Sequence, residues 1–251
     1  MSGPLILSIF PGIDLLGRAF EEEWPEACIV RGPDLIFGGD IRSFHPPAGK
    51  FDGVIGGPPC QSFSSFAHLV RQQGKKTKPD LIPEFERCVR EARPAWFLME
   101  NVEKAPPPSV PGYSVCRFLL QNRHLGQEQN RLRSFVFGQP GNTRIDLRRW
   151  IEFSVFDNTQ WSGAILASGG RRPGLERGRG KTKGSWHGWT GGVAFAFALE
   201  AQGLPPEFLA DAPFTAKGKF QVVGNGVPLP MGRAVAKAVK RALALDQEEA
   251  A

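Results

Sequence analysis

The sequence is short of cysteine and has no long apolar run, and each shortage removes a class of function. Its four cysteines, Cys28, Cys60, Cys88 and Cys116, stand about thirty residues apart, with no CxxC pair and no histidine at zinc-ligand spacing. A disulfide framework and a structural metal are therefore not expected. No stretch approaches the roughly 18 consecutive apolar residues of a membrane span. Leu5 to Phe10 lacks a basic segment ahead of it and is too short for a secretory leader, so the expectation is a soluble, cytoplasmic protein with no membrane partner. There is no internal repeat.

What is present is a chain of 251 residues, 41% hydrophobic and 22% charged, long enough for one domain with a proper core and a small second lobe. The net charge of +6 is unevenly spread. Residues 1–138 carry 16 basic and 15 acidic side chains, residues 139–190 carry 9 and 4, and residues 191–251 carry 6 and 6. Nearly all of the excess lies in one stretch that is also rich in Gly, Arg and Trp, and that reads as loop rather than core.

The first half alternates short apolar runs with helical patterns, the signature of a parallel sheet with crossover helices. Strands are predicted at Leu5 to Phe10, Ala27 to Val30, Phe51 to Ile55, Ala95 to Met99 and Ser134 to Phe137. Helical faces are predicted from Ile13, Leu16 and Phe20, and from Leu81, Ile82, Phe85, Val89 and Ala92. Helical spacing returns after Pro228, with Met231, Val235, Ala238, Val239 and Ala242 on one face. Such a face needs a core, so this last helix should return to the first domain. The expected organisation is a catalytic and cofactor-binding domain at 1–138, a lobe at 139–200 and a return segment at 201–251.

In open parallel sheets, ligands bind at the carboxyl ends of the strands. Three predicted strands end in specialised sequences: Phe10-Pro11-Gly12-Ile13-Asp14, Pro58-Pro59-Cys60-Gln61-Ser62-Phe63-Ser64 and Glu100-Asn101-Val102. A cysteine and a carboxylate at adjacent strand ends could serve as nucleophile and acid. Each piece also has a plainer reading. An isolated cysteine is commonly a small buried hydrophobe, an acid after a strand commonly caps a helix, and a Gly turn commonly just connects. Against the first stand the two prolines and the polar Gln61, Ser62 and Ser64, a poor setting for a packed thiol.

These segments, with Gln129-Asn130-Arg131-Leu132-Arg133 and Gln221-Val222-Val223-Gly224-Asn225-Gly226-Val227-Pro228, occur in the order of the C5-cytosine DNA methyltransferase family, which residues 5–138 and roughly 200–243 resemble. The resemblance implies an α/β fold, the doubly wound, mostly parallel class I S-adenosylmethionine-dependent methyltransferase sheet. It also implies a small, loop-rich target-recognition lobe, and S-adenosylmethionine as cofactor with no metal. Cys60 would add to C6 of a flipped cytosine. Glu100 would serve N3 and the exocyclic amine, Arg133 would hold O2, and Arg131 would help position the thiol side of the base. Phe10, Gly12, Asp40, Ile41, Pro59, Asn225 and Val227 would border the cofactor, and Asp34 is the candidate for its ribose hydroxyls. Asp14 departs from the family's second glycine; either it faces the cofactor's ammonium group or it caps the helix.

Gln61 and Ser64 would close over double-stranded DNA, while Arg171, Arg172, Arg177, Arg179, Lys181 and Lys183 would meet phosphates from the lobe. The plainer reading of that run is a solvated surface. The catalytic parts lie in one chain, so a monomer in a bacterial or phage-infected cell is expected, with room for a cognate restriction enzyme. Two rival functions stay open: an RNA cytosine-5 methyltransferase of the same fold, and an idle DNA-binding module that has lost the cofactor through Asp14.

Overall fold

The computed structural model describes residues 3–59, 79–142, 144–154, 162–165 and 191–249. Its centre is a six-stranded sheet. The strands are β1 (Leu5–Ile9), β2 (Cys28–Arg31), β3 (Gly53–Gly56), β4 (Trp96–Asn101), β5 (Tyr113–Gln121) and β7 (Leu132–Pro140), in the order β2-β1-β3-β4-β7-β5. The first four run parallel, and β7 is antiparallel to both β4 and β5. The short strands β6 (Gln129–Asn130) and β8 (Ser162–Gly163) pair separately.

Alternation within the buried strands sends side chains to two cores, as expected for a sheet covered on both faces. Ile6, Ile55, Leu98 and Phe137 pack with Phe20 of α1 (Leu15–Glu23) and with Met231, Val235 and Val239 of α5 (Leu229–Glu249). Leu7, Val54, Phe97 and Val136 pack on the other face with Phe85, Cys88 and Val89 of α2 (Ile82–Ala92). A third cluster joins Leu15 and Ala19 of α1 to α3 (Gly191–Ala201) and α4 (Ala216–Asn225) through Leu199, Val222 and Val223.

The sheet centre depends on glycine opposite an aromatic ring. Gly53 lies in register with Trp96, and a Cβ at Gly53 would stand 2.2 Å from that indole. Gly138 lies in register with Phe97, and a Cβ there would stand 2.3 Å from its ring. Trp96 thereby fits between Phe20 and Phe137, at centroid separations of 5.9 and 6.2 Å. These stacked rings contribute beyond their buried area.

The expected return of the last helix is found: α5 crosses α1, with Gly232 against Ala19 and Arg233 paired to Glu22 at 2.6 Å. Three expectations change. Strand β5 had no counterpart in the predicted elements, nor had α3 and α4. The third change concerns residues past Gly138, which do not all leave the core: β7 runs to Pro140, and Leu147 and Ile151 are buried with Phe118 and Phe137. Glu152 also pairs with Lys237 and Arg241 of α5. Residues 144–152 thus pack with the first domain, and the basic run lies beyond them.

Candidate active site

A cavity of about 300 Å³ opens at the carboxyl ends of β1, β3 and β4. Its walls come from the β1–α1 turn, the segment after β2, the Gly57-Pro58-Pro59 segment after β3, the end of β4, Arg133 of β7 and the C-terminal end of α4. That volume lies at the lower end for small-molecule sites.

The β1–α1 turn sets one wall. Phe10, Gly12 and Asp14 alternate in left-handed backbone, with φ of 55°, 56° and 54°. Gly12 takes this conformation without a Cβ penalty, and the nearest atom to a Cβ built there is a methyl of Ile36 at 3.9 Å, so the cavity reaches its backbone. The amide of Gly12 donates to Asp34 Oδ2 at 2.9 Å, and the amide of Ile36 donates to Asp34 Oδ1 at 2.9 Å. Asp34 therefore joins the turn to the segment after β2 and lines the cavity. Each carboxylate oxygen has a further lone pair available.

Asp40 caps the short turn at Ile41–Ser43 and is paired with Arg42 at 2.7 Å; Asp40 and the buried Ile41 both line the cavity. Asn225 is exposed at the C-terminal end of α4 and lines the opposite side.

The end of β4 carries the acid. Glu100 Oε1 meets Arg133 Nε at 2.9 Å, with the two side chains 10% and 17% exposed. Burial pushes the Glu100 carboxyl up, and the charges of Arg133 and then Arg131 pull against it. The adjacent Asn101 donates from Nδ2 to the carbonyl of Pro58 at 3.1 Å and accepts the Val102 amide at 2.8 Å. This amide fastens the segment leading into Cys60 to the strand that presents Glu100. Its identity as part of Glu-Asn-Val was visible in the sequence, but its contact, made with a residue 43 positions away, was not.

Three expected site residues stand elsewhere. Asp14 does not line the cavity: it is buried, caps α1 by accepting the Gly17 amide at 3.1 Å, accepts from Ser8 Oγ at 2.7 Å and meets Arg31 Nε at 2.8 Å. Of the two readings offered for it, the helix cap is the one found. Val227 is buried in the core beside α5 rather than in the cavity wall. Arg131 is buried behind the cavity, donating to the carbonyls of Ile165 at 2.9 Å, Gly224 at 2.8 Å and Gly226 at 3.0 Å. A guanidinium is suited to such a junction because its fork reaches several acceptors at once.

Cys60, Gln61, Ser64, Arg171, Arg172, Arg177, Arg179, Lys181 and Lys183 lie outside the described residues. Pro59, the residue before Cys60, lines the cavity. None of the three described cysteines does: Cys28 is exposed on β2, Cys116 lies on β5, and Cys88 is in the core with its thiol pushed up by burial to about 11. Cys88 is thus held as a neutral thiol at physiological pH.

Two buried glutamines with no assigned part in the sequence reading reinforce the junction. Gln129 donates to the carbonyl of Ala201 at 2.8 Å, and Gln202 to that of Val223 at 2.6 Å. Gln202 and Arg131 fix the end of α4 beside the cavity, and Gln129 holds the end of α3. Gln129 was recognisable as the first residue of Gln129-Asn130-Arg131-Leu132-Arg133.

Residues 36–106 match the family of C-5 cytosine-specific DNA methylases. That stretch holds the segment into Cys60 and the whole of β4. Over that stretch the chain is similar to the C5-cytosine DNA methyltransferases. Among curated relatives, it is 33% identical over 161 residues to the type II methyltransferase M.HindV of Haemophilus influenzae, covering 53% of this chain and 52% of that protein. It is 36% identical over 104 residues to the type II methyltransferase M.HgiDI of Herpetosiphon aurantiacus, covering 38% of this chain and 33% of that one. The matches thus span a third to about half of these relatives' lengths.

Among solved structures, a DNMT2 mutant of Spodoptera frugiperda superposes with a TM-score of 0.62 at 14% identity, covering 96% of this chain and all of that one. Dnmt2 methyltransferase of S. pombe gives 0.60 at 12% identity, covering 96% of this chain and 99% of that one. These C5-methyltransferase family structures share the fold, and the mostly parallel mixed sheet is that of class I S-adenosylmethionine-dependent methyltransferases.

Proposed function

We propose that the chain is a DNA (cytosine-5)-methyltransferase that transfers a methyl group from S-adenosylmethionine to C5 of a flipped cytosine, through a covalent adduct on Cys60. The observation that carries this reading is the convergence of Pro59, Glu100 and Arg133 on the same cavity as Gly12 and Asp34. An acid, a cation and the approach to a cysteine thus share one space with a backbone turn and a carboxylate suited to a nucleoside.

The residues present fit the cofactor. Leu35, Ile36 and Ile41 supply an apolar surface for a purine, Asp34 offers acceptors to two hydroxyls, and the open backbone at Gly12 allows close approach. Asp40 and Asn225 add polar groups at either side. S-adenosylmethionine supplies an electrophilic methyl group on a sulfonium.

The remaining chemistry belongs to the chain. Cytosine C5 is a poor nucleophile until C6 is attacked, and a thiolate is both a competent nucleophile and a good leaving group. Addition of Cys60 Sγ to C6 pushes electron density toward N3. Glu100, its carboxyl raised by burial, holds or donates the proton there. Arg133 holds O2 while keeping Glu100 oriented, and Asn101 keeps the Pro58 carbonyl, and so the approach to Cys60, beside the acid. Loss of the C5 proton and expulsion of Cys60 restore the ring. Extraction of the base from its stack costs a few kcal/mol and is offset by contacts outside the cavity. Gln61, Ser64 and the basic run from Arg171 to Lys183, in a lobe between the two halves of the domain, are proposed for these. Arg131 serves the reaction by fixing the end of α4.

The test is incubation with labelled S-adenosylmethionine and either genomic DNA or transfer RNA, followed by digestion and identification of the nucleoside. 5-Methylcytosine in DNA supports the reading, and its appearance in RNA alone transfers the same chemistry to another substrate. Label in neither overturns it. DNA containing 5-fluorocytosine should trap the wild type covalently, because its C5 fluorine cannot leave as a proton does, and Cys60→Ser should bind the same DNA without trapping.

A further inference from the structure

The segment after β2 forms a wall of the cavity with very little regular structure of its own: two short 3-10 turns, Leu35–Phe37 and Ile41–Ser43, joined by Gly38, Gly39 and Asp40. Of the six side chains in those turns, Ile41 alone is buried. Such a segment needs an external fastening to hold a fixed shape.

That fastening comes from α2, which packs on the same face of the sheet as Ile41 and Phe44. Arg87 of α2, 16% exposed, donates from one terminal nitrogen to the carbonyl of Ile41 at 2.8 Å and from the other to the carbonyl of Phe44 at 2.9 Å. Its fork is held from behind by two carboxylates on its own helix, Glu84 at 2.8 Å from Nε and Glu91 at 2.8 Å from the Phe44-bonded nitrogen. His45 Nδ1 lies 3.1 Å from Glu91, extending the cluster to the end of the segment. Four hydrogen bonds from one planar group, shared between two elements, define both the distance and the orientation of the segment relative to α2. A lysine, with a single point charge, cannot make all four.

We infer that Arg87 is a positioning residue for the cofactor: by holding the carbonyls of Ile41 and Phe44 it sets the wall formed by residues 39–42, and with it the affinity for the adenosyl part of the ligand. The inference rests on the cavity being the S-adenosylmethionine site. Arg87 itself does not line the cavity, so its influence runs through the backbone it holds.

Arg87→Met keeps the aliphatic stem and removes every donor, Arg87→Lys keeps the charge, and Arg90→Met alters an exposed residue on the same helix. In ligand-free protein, amide exchange at residues 39–44 should accelerate in Arg87→Met and not in Arg90→Met. By calorimetry the Kd for S-adenosylhomocysteine should rise about tenfold in Arg87→Met, the factor that one charge-assisted hydrogen bond corresponds to, with Arg87→Lys between it and the wild type. KM for S-adenosylmethionine should rise in step while kcat stays within about twofold. Unchanged exchange and Kd in Arg87→Met, or equal effects in Arg90→Met, overturn the inference. If the wild type binds no S-adenosylhomocysteine, the assignment of the cavity fails and the cofactor role of Arg87 fails with it. The exchange result then still decides whether Arg87 holds the segment.

Discussion

Glu100 carries a conflict between burial and charge that has measurable consequences. Burial favours its neutral form, while Arg133 and Arg131 favour the anion, and burial prevails. A carboxyl raised in the folded state contributes stability that is complete below its unfolded value and is lost as pH rises through the folded one. Glu100→Gln has no such proton to lose. Its urea midpoint should therefore gain on the wild type as pH is raised from acid to neutral, while its methyl transfer falls by a hundredfold or more, on the order of a lost general acid. Parallel pH profiles of the two midpoints would contradict this assignment of the proton. At this scale the residue types at the strand ends were legible from Glu100-Asn101-Val102 and Pro58-Pro59-Cys60. The contacts of Asn101 and Arg131 were not, because their acceptors come from chain segments tens of residues away. No local pattern encodes such a meeting.

Among the elements, the β1–α1 turn shows how a departure from a family pattern can be absorbed. Asp14 stands where a glycine is expected and keeps the left-handed backbone, a conformation aspartate tolerates better than most residues. It also caps α1. Asp14→Gly should therefore cost only a few tenths of a kcal/mol in capping, whereas Asp14→Ala should cost about 1–2 kcal/mol, since alanine loses the cap and resists that backbone. Urea denaturation of the two variants checks the order, and equal losses would mean that the cap matters little. At the α1–α5 crossing, a Cβ on Gly232 would come within 2.8 Å of Ala19 Cβ. Gly232→Val should destabilise by about 1–3 kcal/mol through overpacking, read in the same experiment. Helix α5 was legible because its apolar positions share one face. Helix α3 was not, because Gly191–Ala201 is almost uniformly small or apolar and shows no face to detect. Strand β5 escaped for a different reason: at the sheet edge most of its residues are only half-buried, so its alternation is blurred.

For the whole molecule, charge is unevenly distributed along the chain. The domain is nearly neutral, and the excess of basic residues lies in 139–190. Replacing Arg177, Arg179, Lys181 and Lys183 with alanine should lower the salt dependence of DNA binding by up to about 0.9 log units per phosphate contact removed, while leaving cofactor affinity unchanged. An unaltered slope would return that run to a solvated surface. The mostly parallel sheet and the return of the last helix followed from hydrophobic pattern and motif order, but the inward packing of Leu147 and Ile151 did not, since two apolar residues among arginines carry little periodic signal. The crossing of α1 by α5 also bears on how the protein is made. Residues 15–23 bury their apolar face against residues 229–249, a contact between opposite ends of the described chain. Loop closure over such a separation comes late in folding. Until α4 and α5 are made, Leu15 and Ala19 lack the partners that cover them, and the cavity lacks the wall supplied by the end of α4.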